Sequence, residues 1–528
     1  MVAKGYRPVD RDQPFLLPPD MRQWLPAGHA VWLVIEAVGV LDTSAFHARR
    51  RTGGAGAAGY DPDMLVTLLV WAYANGITSS RRIERLCQQD VAFRVICAGR
   101  APDHVTVARF RQQFAETAAG LFAQVLLLCA RLGMGQVGTV AIDGTKIAAS
   151  ASKEANRTEE GLRKLAADLA ARHAAADAEE DALFGAGKRG DDDPGDPHTR
   201  AGRVAAALAS LEEERQAREA AEREAAEGHL EAARSGTAGA GRPPAGAEAE
   251  AARLRLERET AAARAAVQQW EARRAAGAGS GTGRRPVPAE QSARVRRAAA
   301  RLDRALARQA ARRAAAPAPA RNVTDPGSRL MPVRGGGFIQ GYNAQNVTSE
   351  DGLVIATRLT AGTTDTRWYE AMISDAAGSA AAMAAAGGPG TGQIGLVLAD
   401  AGYLSGHNLT CPGPDRLIAT GKGRDLEKAA RGQETGVAGE PEQAQTPPVA
   451  AMAARLATAD GIAAYRRRSR IGETFHGDLK HNQGLRRLSL RGTRRASGEW
   501  TFAAAVRNLR KAITSGHLTS TSLAALAG

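Results

Sequence analysis

Apolar residues recur at helical spacing from about Tyr6 to Arg131, which predicts a mostly α-helical region carrying Trp24, Trp32 and Trp71. Within it, Pro62 to Tyr73 predicts a helix that stops at Asn75-Gly76. A second helix starts at Ser79 or Ser80 and runs through Ile83, Leu86 and Cys87. Helix, glycine turn and helix outline a helix-turn-helix. A third helix follows Pro102-Asp103-His104 and carries Arg109 and Arg111 beside Phe110 and Phe114. The pattern suits DNA contact through Arg109 and Arg111, and equally suits three helices that only pack on one another. Between about 156 and 320 the pattern dissolves into Ala/Glu/Arg/Gln stretches. Val204–Ala233 and Ala247–Arg274 are rich enough in helix formers for long, coiled-coil-like helices, with Gly/Pro-rich links at 236–246 and 277–288. A solvated, partly disordered insertion is the other reading of that stretch.

Alternation returns on both sides of this insertion. Val137 to Thr145 predicts a strand that ends in an acid, with Val140 and Ile142 on one face and Thr139, Ala141 and Asp143 on the other. Asp143-Gly144 is also a hairpin-turn dipeptide. Gly337–Val347 and Leu353–Leu359 predict a β-hairpin turning at Ser349-Glu350-Asp351-Gly352. A helix over 367–385, a fully apolar strand Ile394–Ala399 ending at Asp400, a short helix near Ser405, a strand over 416–419 and a helical region after Ala463 follow. An apolar run of this kind predicts a central strand covered on both faces, and ligands gather beyond the carboxyl ends of such strands. In the last region Ile471, Phe475 and Leu479 form an apolar stripe. Glu473, His476, Gly477 and Lys480 share the opposite face.

Charge sharpens the picture. The 528 residues hold 70 Lys+Arg against 56 Asp+Glu, a net charge of +14. Tyr465–Lys511 alone has 13 basic and 3 acidic residues, or +10. Such a surface suits a polyanionic partner. The four cysteines are scattered without metal-ligand spacing, and no segment offers about twenty apolar residues or a secretory leader. A cytoplasmic protein without membrane contact is expected.

Together, Ile142-Asp143-Gly144-Thr145-Lys146, Ala399-Asp400-Ala401-Gly402-Tyr403 and Tyr465-x2-Arg468-x4-Glu473-x6-Lys480 resemble the bacterial insertion-sequence transposases of the DDE type. Asn322 to Arg329, Gly341 to Gln345 and the N-terminal Tyr60-Asp61-Pro62, Ser79-Ser80-Arg81 and Pro102-Asp103-His104 extend the resemblance over most of the chain. It implies a multidomain protein. An α-helical DNA-binding region (1–131) would precede an α/β ribonuclease H-like catalytic domain (132–155 and 321–515), interrupted by the insertion (156–320) and followed by a tail (516–528). It further implies that Asp143, Asp400 and Glu473 hold two Mg²⁺ ions, with Mn²⁺ able to substitute. Lys480, Arg468 and Tyr465 would position DNA phosphates, and Arg486 and Arg487 would extend the basic track. The implied partners are terminal inverted repeats and target DNA, bound by a homodimer at the nucleoid. A ribonuclease H-like nuclease without strand transfer and a decayed DNA-binding protein are the competing readings. Three departures stand out: the signature has one residue more than usual between Arg468 and Glu473, Gly472 stands where a β-branched residue is common, and the insertion is unusually rich in Ala and Gly.

Overall fold

The computed structural model describes residues 20–48, 59–115, 117–184, 199–235, 243–244, 246–276, 284–315, 318–333, 335–421 and 447–527. The Gly/Pro-rich links at 236–242 and 277–283 and the first 19 residues lie outside the described residues. The chain divides into two compact units, Met1–Ala155 with Gly327–Gly528, and Asn156–Pro326.

The first unit opens with helices α1 (Ala30–Gly39), α2 (Pro62–Ala74), α3 (Ser80–Gln89), α4 (His104–Phe114) and α5 (Ala118–Arg131). Their starts are written in the sequence. Asp61 with Pro62 at the first helical position caps α2, Ser79 caps α3, and Asp103 accepts from the amides of Val105 and Thr106 to cap α4. Gly76, at φ +72°, makes the turn between α2 and α3 in the left-handed region where a side chain would be strained.

The sheet follows: β1 (Thr139–Ala148), β2 (Arg329–Pro332), β3 (Phe338–Ser349), β4 (Val354–Thr360), β5 (Leu396–Ala399) and β6 (Asp415–Ile418). Its order is β2-β3-β1-β5-β6, with β4 also paired to β3. The β1–β3 and β3–β4 pairs are antiparallel, while β1–β5 and β5–β6 are parallel. One expectation is corrected here. β1 does not end at Asp143-Gly144 but continues to Ala148, because β3 pairs with it from Val140↔Ser349 to Ala148↔Gly341. Asp143 instead sits where the parallel partner β5 stops, one residue beyond the pair Ile142↔Ala399.

Both faces of the sheet are covered, as the apolar strand pattern requires. Val140 and Ile142 join a core shared with α1, α2, α5, α6 (Tyr369–Ala385) and α8 (Thr493–Thr514). Ala141 faces the other way, into a smaller cluster with Leu398, Leu417 and Ile471. A helical run beginning with α7 (Ala459–Arg468) lies over this second face. Residues 516–528, expected as a tail, hold a helix Ser520–Ala527 whose Leu523 is buried in the main core. No single helix among the described residues is long and apolar enough to cross a membrane.

The second unit is helical: Glu159–Phe184, Arg200–Ser235, Glu248–Ala275 and Ala293–Ala315, with a two-stranded ribbon of Asn156–Thr158 and Ala320–Asn322. The segment 204–233 falls inside the second of these helices, and 247–274 fits the third from its N-cap residue on. Its apolar clusters are small, one of Leu162, Val204, Ala207 and Leu211 and one of Ala226, Ala247 and Ala251.

Candidate active site

Asp143 and Asp400 stand side by side because their strands are parallel neighbours in register. Asp143 is largely buried and its Oδ1 accepts from the Gly144 amide at 3.0 Å. Burial, reinforced by the charge of Asp400, pushes its pKa up to about 7, against the opposing pull of Arg468 and the Gly144 amide. Asp400 turns its carboxylate onto the Gly402 amide at 2.9 Å, capping the turn that follows β5. Two carboxylates at the mouth of a covered sheet concentrate negative charge, and one of them holds its proton near neutrality in response.

The third acid arrives on the helical run. After α7 the chain forms a π-helical turn, Ser469–Glu473, then Thr474–Gly477 as α-helix and a second π-helical turn, Asp478–Asn482. A π-turn holds one more residue than the α-turn it replaces. The supernumerary residue between Arg468 and Glu473 is thereby absorbed, and the side chains on either side of it still converge. Arg468 reaches Glu473 Oε1 at 3.0 Å, and Tyr465 donates to the carbonyl of Ala399, the residue before Asp400, at 3.2 Å. Burial disfavours the Arg468 charge, but Tyr465, Asp143, Asp400 and Glu473 around it more than offset that and raise its pKa. Gly472 packs on β1, with room for a Cβ at 3.4 Å from Ala141 Cβ and 3.6 Å from Asp143 Cβ.

Ile471, Phe475 and Leu479 are buried as the stripe predicts. Phe475 sits edge-on to Trp500, with Arg507 over its ring, while Asp478 is gripped by Arg507 at 3.4 Å and Arg510 at 2.9 Å from α8. Lys480 Nζ donates to Thr145 Oγ1 and to the Lys146 carbonyl at 3.1 Å, just past Asp143 on β1. Burial lowers its pKa, with Asp143 pulling the other way. His476 points inward, its Nε2 3.5 Å from Asp143 Oδ2, and burial, then the nearby Lys480 charge, pushes its pKa down to about 3.

The carboxylates of Asp143, Asp400 and Glu473 do not close on a single point. Among the described residues, the one His/Cys/Asp/Glu group with donor atoms all within 4.8 Å is His47, Asp61 and Asp63, which lies on the helical N-terminal part. In the sheet site, Asp400 is turned to its cap and Glu473 to Arg468, so the guanidinium supplies the positive charge there.

A fourth acid was not singled out from the sequence. Asp365 Oδ1 accepts from Asn343 Nδ2 and Gln345 Nε2, both at 2.6 Å, and lies 3.6 Å from Lys146 Nζ. Tyr403 completes the clamp by donating to Gln345 Oε1. Asn343 and Gln345, two residues apart on β3, are buried amides on one face of a strand, and buried amides require partners. Asp365 also helps to crowd the glycines near both aspartates. A Cβ on Gly144 would meet Gln345 Nε2 at 2.6 Å and Asp365 Oδ1 at 2.7 Å, and one on Gly402 would meet Asp400 Oδ1 at 3.0 Å and Asp365 Oδ2 at 3.2 Å. Gly144→Ala is therefore expected to displace the Asp365 clamp, lowering stability by about 1–3 kcal/mol as overpacking does. Denaturant unfolding checks this; a variant as stable as the parent would show the clamp to be slack.

The remaining basic residues have varied surroundings. Arg486 is exposed beside Lys480, its Nε 3.3 Å from the Lys480 carbonyl. Arg487 directs its Nε to the Ala149 carbonyl at 3.0 Å, where Leu488 also extends the edge of β1. Arg109 is exposed on α4, whereas Arg111 turns inward to the Thr78 carbonyl.

The first unit thus joins capped helices to a mixed sheet that holds paired aspartates beneath a basic helical run. Residues 19–113 match the family described as Transposase domain (DUF772), and residues 428–513 match the family described as Transposase DDE domain. The two matches, in this order, support an insertion-sequence DDE transposase, with transposition as its function and DNA as its substrate. The second match spans Tyr465, Arg468, Glu473 and Lys480; Asp143 and Asp400 lie outside it. No curated protein and no solved structure matches the chain.

Proposed function

We propose that this chain cleaves DNA at the ends of a mobile element and joins the freed 3′ ends to target DNA, using Asp143, Asp400 and Glu473. The observation that carries the reading is the adjacency of Asp143 and Asp400 on parallel strands under a helical run bearing Glu473, Arg468 and Lys480. An antiparallel β1-β3-β4 followed by parallel β5 and β6 on the other side of β1 is the strand order expected of a ribonuclease H-like domain, and supports that assignment.

The donor set fits divalent metal. It offers carboxylate oxygens, which suit Mg²⁺ or Mn²⁺, and a buried Asp143 whose raised pKa marks negative charge short of a counter-ion. Asp143, Asp400 and Glu473 would hold two such ions, which activate the attacking oxygen and stabilise the leaving one. Lys480, fixed between Thr145 and Lys146, presents its ammonium beside Asp143 as a contact for the scissile phosphate. Arg468 balances the carboxylates through its contact with Glu473, and a metal held by Glu473 would take over that role. Arg486 continues the basic surface past Lys480. Two element ends must be held together, and a pair of chains would do so.

Purified protein, labelled inverted-repeat DNA and Mg²⁺ or Mn²⁺ test the proposal. Asp400→Asn and Glu473→Gln are expected to lower cleavage by at least about a hundredfold, the scale of losing a group that acts in the transition state. Full activity in either variant refutes the assignment. Cleavage without joined products would identify a nuclease, and DNA binding without cleavage a decayed binder.

A further inference from the structure

The imidazole of His476 is shut from solvent at both ring nitrogens, and among the described residues neither has a hydrogen bond of ordinary geometry, the Asp143 backbone being only a weak polar neighbour. A buried polar group left unsatisfied carries a penalty, so such a group in a native site has a reason, an unseen ion among them. Its Nε2 lies 3.5 Å from Asp143 Oδ2. That is too long for a hydrogen bond, yet within the span of two donor atoms that each approach one cation to about 2.0–2.2 Å. The ring lies against Phe475, at 5.1 Å between centroids, on a helical run pinned through Asp478 to Arg507 and Arg510. His476 also follows Glu473 by three residues. Glu-x-x-His is the spacing with which one helix presents a carboxylate and an imidazole to the metals of di-iron and di-manganese carboxylate proteins.

We propose that His476 is a nitrogen ligand to the cation at Asp143, and that it biases the site toward a first-row transition ion, Mn²⁺, over Mg²⁺. The inference rests on the reading of Asp143, Asp400 and Glu473 as metal ligands. Mg²⁺ seeks oxygen and near-ideal octahedral geometry, whereas an imidazole suits the softer transition ions. Among the described residues no hydrogen bond of ordinary geometry fixes the tautomer. Coordination through Nε2 fixes it with the proton on Nδ1.

The full-length protein is loaded with Mn²⁺ and read by electron paramagnetic resonance: loss of the free-ion signal gives affinity, competition gives Mg²⁺ binding, and spin-echo modulation detects a bound nitrogen. The expected result is ¹⁴N modulation in the parent. In His476→Phe the modulation is lost, with about a tenfold or greater fall in Mn²⁺ affinity and less than about a threefold change for Mg²⁺. Absence of ¹⁴N modulation in the Mn²⁺-loaded parent overturns the proposal without recourse to any variant, and equal losses for both ions do so as well. Asp143→Asn separates the two levels. Retention of both ions in that variant overturns the metal site itself. Loss of both supports the site, and the parent's echo signal then decides for or against His476.

Discussion

Asp143→Asn is expected to abolish metal-dependent cleavage while making the metal-free protein more heat-stable above neutral pH. The two effects have one cause. The Asp143 carboxyl is pushed up to about 7 by burial and by the charge of Asp400, from an ordinary value of 3.8. An acid whose pKa is raised on folding binds its proton more tightly in the native state. Its favourable contribution is complete below about 3.8, erodes as the pH rises, and is gone once the pH passes about 7. Above that point the folded protein carries a buried carboxylate with too little counter-charge. Asparagine keeps the shape and an oxygen for the Gly144 amide but has no charge to bury. The displacement from 3.8 to about 7 sets an upper limit of about 4 kcal/mol on the gain, and relaxation of the site will take part of it. At pH 8 the variant should melt several degrees above the parent, and below about pH 4 the two should coincide. Divalent cation should reverse the order at pH 8 by stabilising the parent alone. An Asn variant that melts no higher than the parent at pH 8 without metal would contradict this account of the site's electrostatics.

The alternation in β1 and the uninterrupted apolar run of β5 made the strands and the positions of Asp143 and Asp400 legible, since period-two patterns are local. The length of β1 was not. Its continuation past Asp143-Gly144 depends on pairing with β3, about two hundred residues later, and an Asp-Gly step carries no mark of a partner so distant. The stripe of Ile471, Phe475 and Leu479 marked the buried face of the third element, but not its π-turns, since an apolar stripe does not distinguish an α-turn from a π-turn. The surplus residue before Glu473 was visible as a departure from the signature, and only the structure gives it a place. Asp365 lies in the polar stretch Gly362–Thr366 without periodicity. Its signal was indirect, in Asn343 and Gln345, two amides on one face of a strand that is otherwise buried.

Glu499→Ala is expected to destabilise the first unit by about 3–5 kcal/mol, the combined scale of leaving buried donors unsatisfied and opening a cavity. Glu499 lies on α8 with only 3% of its surface exposed. One carboxylate oxygen accepts from the Tyr73 hydroxyl at 2.8 Å, and the other from the amides of Ser489 and Leu490, both at 2.8 Å. Alanine would leave three donors, two of them on buried residues, without this acceptor and open a cavity among them. Glutamine keeps the volume and one acceptor oxygen but turns an amide toward donors, so a smaller loss of about 1–3 kcal/mol is expected. The damage should reach the candidate site. Tyr73 belongs to α2, and Ser489-Leu490 follow Leu488, whose amide bonds to Ala148 at the end of β1. The same strand end carries Lys146, whose carbonyl receives Lys480. Urea or guanidinium unfolding with an unchanged m-value would give the stability term. Loosening at Lys480 would appear as faster amide exchange over 144–149 in Glu499→Ala than in Glu499→Gln. Equal stability of the alanine variant and the parent would mean that the carboxylate is dispensable and that α8 holds α2 and β1 together through apolar contact alone.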